Sequence, residues 1–115
     1  MSPLEVTALE VLAHVFLQNA QADKAVAILQ ALDTLRPADN RALLAFATAH
    51  LRSGAPLRAI AVLDRIDSLA APPPEAHLLR AQALRALDRH GEALESMRRF
   101  IALRLLSRPV ESATE

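Results

Sequence analysis

Four histidines, His14, His50, His77 and His90, are the side chains best suited to chemistry near neutral pH. His14 follows Glu10 by one helical turn, and His90 lies near Asp88 and Glu92, so metal binding is the first chemistry to test. A structural site generally needs four ligands, and neither cluster reaches that number. The chain has no Cys and no HExxH spacing, so no metal is expected. Asp64 and Asp67 stand one turn apart, as do Glu92 and Glu95, but surface helices commonly carry such pairs. No Ser or Thr has a convincing base and orienter, and Gly54 and Gly91 alone cannot build a phosphate loop. The expectation is a protein without catalytic residues or cofactor. His50 reads as a substitute for an aromatic packing residue, and His90 as an exposed turn residue.

Charge excludes further classes. Thirteen Lys and Arg balance thirteen Asp and Glu, so there is no basic excess for nucleic acid, and the Arg98–Arg99 pair is too brief for a binding stripe. The absence of Cys fits a reducing compartment. The opening MSPLEVTALEVL lacks a basic leader and carries Glu5 and Glu10, unlike a secretory signal. No run approaches the roughly 20 apolar residues that span a bilayer. A cytoplasmic protein with no direct membrane insertion is expected.

The elements that position these residues follow from a repeat. Ala25 recurs as Ala59 and Ala93, and Ala13 as Ala47 and Ala81, in steps of 34 residues. That period marks stacked helix-turn-helix units. An apolar set dominated by Ala and Leu, with Phe16, Phe46 and Phe100 the only aromatic rings besides histidine, favours helix throughout. The units are 6–39, 40–73 and 74–107, within one domain over 1–107, followed by a frayed tail over 108–115.

In unit one, a helix from about Leu4 to Gln18 turns Leu9, Leu12, Ala13 and Phe16 to one face. A second, Ala22 to Leu35, buries Ala25, Leu29 and Leu32 and ends before Pro37. In unit two, Asp39 or Asn40 caps a helix reaching about Arg52, with Leu43, Ala47 and Leu51 on one stripe. The turn Ser53–Pro56 leads to a helix, Leu57 to Leu69, burying Ala59, Leu63 and Ile66. Pro72–Pro74 is too stiff and short for a flexible linker. Unit three opens at about Glu75 with Leu78, Ala81 and Leu84 inward. Its turn is Asp88–Gly91, and a last helix from about Glu92 to Leu106 turns Ala93, Met97 and Phe100 inward. The six periodic alanines fill slots where antiparallel helices cross closely, so enlarging any to Leu should cost about 1–3 kcal/mol.

These alanines, with Leu29, Leu63 and Met97 and then Leu32, Ile66 and Phe100 in the same register, resemble the tetratricopeptide repeat family. The aromatic usual in the first helix survives only as Phe16, with His50 and Leu84 later, and of the closing prolines only Pro37 keeps its register. The resemblance implies an all-α fold, three tandem repeats in a short right-handed superhelix. At whole-chain level, LEVLAHVFLQNAQADKAVAILQALDTLRP and LLAFATAHLRSGAPLRAIAVLD resemble the small export chaperones of type III secretion, in particular the SctY (YscY-like) family. That likeness implies a cytoplasmic chaperone that holds an early exported client of the SctX type as a 1:1 heterodimer. It presents the pair to the cytoplasmic domain of the export gate, transiently at the inner-membrane export apparatus. A chaperone of needle or translocator subunits, or a self-associating helical adaptor, is the alternative.

The fold so implied lines its concave surface with the first helix of each unit. The matching positions are Thr7, Glu10, His14, Leu17 and Gln18; Arg41, Leu44, Thr48, Leu51 and Arg52; then Glu75, Leu78, Gln82, Arg85 and Ala86. Leu17, Leu44, Leu51 and Leu78 would form an apolar strip, with Arg41, Arg52 and Arg85 able to pair with acidic groups. Such a strip suits an amphipathic client helix. The last helix, LESMRRFIALRLL, carries more apolar surface than one buried face uses. Ile101, Arg104 and Leu105 are therefore candidates for a second contact surface with the client, the gate or another copy. The competing reading is that this helix folds more deeply into its own domain.

Overall fold

The computed structural model describes residues 1–35, 39–69 and 71–107, and over these the chain forms six α-helices. They are α1 (Pro3–Gln18), α2 (Ala22–Leu35), α3 (Asn40–Arg52), α4 (Pro56–Leu69), α5 (Pro74–Ala86) and α6 (His90–Leu106). Local chemistry sets the starts. The Ser2 hydroxyl accepts from the Glu5 N–H at 3.2 Å, while the Glu5 carboxylate accepts from the Ser2 N–H at 3.3 Å. Pro3 takes the first helical position, where a missing N–H costs nothing, so α1 begins one residue before Leu4. Asp39 caps α3, its carboxylate accepting from the Ala42 N–H at 2.8 Å. The expected role of Pro37 and the expected tail over 108–115 lie outside the described residues.

The three hairpins share one turn. Ala20, Gly54 and Asp88 all adopt left-handed backbone, with φ of 59°, 83° and 60°. Gln21, Ala55 and Arg89 then donate their N–H to the carbonyls of Phe16, His50 and Leu84 at 2.8, 2.8 and 2.9 Å. Each return helix starts directly after that donor. This corrects the expected Asp88–Gly91 turn and the start at Glu92: Asp88 supplies the one left-handed residue, and Gly91 is already helical. Among the three, only Gly54 meets the left-handed requirement without a Cβ penalty.

Each helix packs on the next, and α1 also touches α3 as α3 touches α5. The backbones of α2 and α4, or of α4 and α6, do not meet among the described residues. The first helices therefore form a tighter inner layer and the return helices a looser outer one. The stack measures 47 × 36 × 29 Å, and its radius of gyration is 15.5 Å. A compact chain of this length would have a radius of about 13 Å. Long side chains also join successive hairpins. Arg65 donates two bonds of 2.8 Å to Asp33 across the α2–α4 gap. Arg80 of α5 reaches both Asp64 and Asp67 of α4 at 2.9 Å. The Arg65 hydrogen bonds hold the Asp33 carboxyl below its ordinary pKa, against a smaller opposing effect of burial.

Burial follows the repeat in the middle and departs from it at the ends. Ala25, Leu43, Ala47, Ala59, Leu63 and Ile66 have no exposed surface, and Leu29, Leu32, Ala13, Ala81 and Leu84 are buried. Five of the six periodic alanines fill closed slots; Ala93 is only half-buried. At the ends, Leu12, expected inward, is exposed, while Leu9, Phe16, Met97 and Phe100 are half-buried; Leu51 of α3 and Leu78 of α5, also expected inward, are half-buried for another reason, since both border a surface groove. The cause at the ends is one-sided support, because α1 has no helix before it and α6 none after it among the described residues. Among the described residues no helix is long and apolar enough to cross a membrane.

Candidate partner-binding groove

The inner layer sets α1, α3 and α5 side by side, and the seam between them is a groove of about 620 Å³. His14, Leu17 and Gln18 line it from α1, and Leu44, Ala45, Thr48, Leu51 and Arg52 from α3. Glu75, Leu78, Leu79 and Gln82 contribute from α5. A second hollow of about 380 Å³ between α1 and α3 is lined by Thr7, Glu10, Val11, Arg41 and Ala42. His14, Leu17 and Ala45 border both, making one channel of two stretches.

The structure thus brings Leu17, Leu44, Thr48, Leu51, Arg52, Leu78 and Gln82 together and places Arg41 in the adjoining hollow. Arg85 is exposed on α5 and lines neither stretch. Ile101, Arg104 and Leu105 are exposed on α6, outside the groove. Arg104 nevertheless approaches Glu75 at 4.0 Å, and Glu75 lines the groove, so that pair links the two surfaces. Ala45 and Leu79 were not anticipated. The signal was present: Val11, Ala45 and Leu79 share one repeat position, and each lines a stretch of the channel.

Polar groups edge the leucine floor with unequal freedom. The Thr48 hydroxyl donates to the Leu44 carbonyl at 2.8 Å, spending its donor within α3. Arg52 donates to the Leu17 carbonyl at 3.3 Å, in the last turn of α1 where carbonyls lack helical partners. Arg52 therefore also ties α1 to α3. His14 and Gln18 meet through their side-chain nitrogens at 3.1 Å.

The remaining histidines lie elsewhere. His50 is buried in α3 with its ring centroid 4.5 Å from that of Phe46, the packing role expected for it. Burial, helped by Arg58, pushes its pKa below 6.5. Burial lowers His77 too, opposed by Asp67 and aided by Arg99 and Arg80. His90 is exposed, 3.6 Å from Asp88, but is the first residue of α6 rather than part of the turn. Among the described residues no three His, Cys, Asp or Glu side chains are grouped to hold a metal ion.

An apolar channel between stacked helical hairpins defines a tetratricopeptide-type repeat protein, a class that mediates protein–protein interaction. Residues 31–100, more than half of the chain, match the family described as anaphase-promoting complex, cyclosome, subunit 3. The chain belongs to that family. No curated protein matches it significantly.

Proposed function

We propose that this protein is a non-catalytic chaperone that holds one exported client through the α1–α3–α5 channel. The observation that carries the reading is the leucine floor, Leu17, Leu44, Leu51 and Leu78, drawn from three helices and edged by charge. That arrangement suits one face of an amphipathic helix. The whole-chain likeness to the SctY chaperones supports a client of the SctX type, bound 1:1 and delivered from the cytoplasm to the export gate's cytoplasmic domain. The contact site would extend from the channel past Glu75 to Arg104 on α6, with Ile101 and Leu105 beyond it.

Co-expression with an SctX-type protein tests this. A 1:1 complex is expected on gel filtration, lost in Leu44→Asp and Leu51→Asp variants that keep their helical circular dichroism. A chain soluble and monodisperse alone, with no complex recovered, overturns the proposal. The matched family's description names a subunit of a complex, which favours a standing adaptor as the second reading. A partner retained as a permanent component, never handed to the export gate, would establish that reading instead.

A further inference from the structure

The repeat register allows each residue on the outer helices to be compared with its inner counterparts. Arg80 of α5 packs toward the preceding hairpin, pairing with Asp67 of α4 at 2.9 Å. One repeat earlier the Arg80 position is Phe46, 6% exposed; two repeats earlier it is Leu12 of α1, 42% exposed. The Asp67 position recurs one repeat later as Ile101 of α6, 50% exposed. Arg80 and Asp67 therefore have, at the two outer faces of the stack, one apolar side chain on each side, while the second partner of Arg80, Asp64 at 2.9 Å, corresponds to Arg98 of α6. Val15 repeats the pattern, since it is 41% exposed where its counterparts Ala49 and Ala83 are fully buried.

We infer that α6 of one copy packs against α1 of the next, Ile101 on Leu12, so that the protein stacks head to tail. The junction would repeat the way α4 packs on α5, with an apolar contact replacing the Arg80–Asp67 pair. Charge selects this pairing over α6 against α6. On the face that holds Leu12, helix α1 carries Glu5 and no Lys or Arg, whereas Arg98 and Arg104 flank Ile101 on α6; Glu10 lines the channel and Arg99 turns toward Glu95 and the α4–α5 side. A two-fold α6 pairing would set Arg98 and Arg104 of the two copies against each other; the α6–α1 pairing sets them near Glu5. The existing contacts of Arg98 with Glu95 and of Arg104 with Glu75, each 4.0 Å and well exposed, are weak enough to yield. The two faces differ, so the contact is heterologous and leaves an α1 and an α6 face open at each end of an oligomer. Leu12 and Val15 belong neither to the channel nor to the proposed client contacts, whereas Ile101 lies in the proposed α6 contact site, so the α1 substitutions are the ones that test stacking independently of the client proposal.

Sedimentation velocity of the full chain tests the inference. The wild-type mass should rise with concentration past twice the monomer's 12.5 kDa. Leu12→Glu and Ile101→Glu should each remain at 12.5 kDa with unchanged circular dichroism. An equimolar mixture retains one intact junction and one glutamate-against-glutamate junction, so a single species of twice 12.5 kDa should form. Val15→Glu gives a second block of the α1 face should Leu12→Glu lose helicity. A wild type that stays monomeric overturns the inference. So does association that survives both α1 substitutions, which would mark a two-fold α6 dimer, or a mixture that fails to pair.

Discussion

In the α3–α4 hairpin, Ala59, Leu63 and Ile66 have no exposed surface, while their counterparts in α6, Ala93, Met97 and Phe100, are half-buried. The two return helices are written in the same register and differ in their neighbours. Helix α4 packs on both α3 and α5, whereas among the described residues α6 rests on α5 alone. In a stacked array much of a residue's burial comes from the adjoining repeat. The last hairpin is thus less complete by itself than the middle one.

The largest effect that would sharpen this contrast is a cavity. Leu63→Ala removes a fully buried side chain between two helix neighbours and should cost about 3–5 kcal/mol, as core leucine truncations do. Met97→Ala, at a half-buried position, should cost roughly 1 kcal/mol, because part of its surface already contacts water. Urea denaturation of both variants gives the comparison, and equal losses would break it.

Overpacking supplies the opposite probe. Ala59→Leu forces a larger side chain into a closed slot and should cost about 1–3 kcal/mol. Ala93→Leu has an open side to expand into and should be close to neutral. The same denaturation experiment measures both, and a matching penalty at Ala93 would show that its slot is closed after all.

The middle of the molecule was more legible in the sequence than its ends. The spacing placed Ala47, Ala59, Leu63 and Ile66 correctly because each has a repeat on both sides to complete the packing. Leu12 was misread because a helical wheel marks an apolar stripe without showing whether another helix exists to cover it. The channel floor could be located from Leu44, Leu51 and Leu78 once the fold was recognised. The bond from Arg52 to the Leu17 carbonyl could not, since it joins residues far apart in sequence through a geometry set only by packing. The left-handed backbone at Ala20 and Asp88 was equally hidden, because neither residue type demands it as Gly54 suggests it.

The smallest expected effect concerns acid. One repeat position holds Phe16 in α1, His50 in α3 and Leu84 in α5, so only the middle hairpin places a titratable ring there. Burial keeps His50 neutral in the fold, with its pKa below 6.5, and the unfolded chain protonates it more readily. Between the lowered pKa and the ordinary one, the unfolded state therefore binds more protons. This contribution to stability is complete above pH 6.5 and is lost as pH falls toward the folded value. His77 acts in the same direction, and so does Asp33, whose contribution is complete above its ordinary 3.8 and is lost only as pH falls below that, in a separate and more acidic window. Melting temperatures followed from about pH 7.5 to about pH 5 should fall for the wild type and fall less for His50→Leu, which gives α3 the residue that α5 already has. The shift should be smaller than the loss from Leu63→Ala. An unchanged slope in His50→Leu would assign the acid sensitivity to His77 and move it from the middle hairpin to the last.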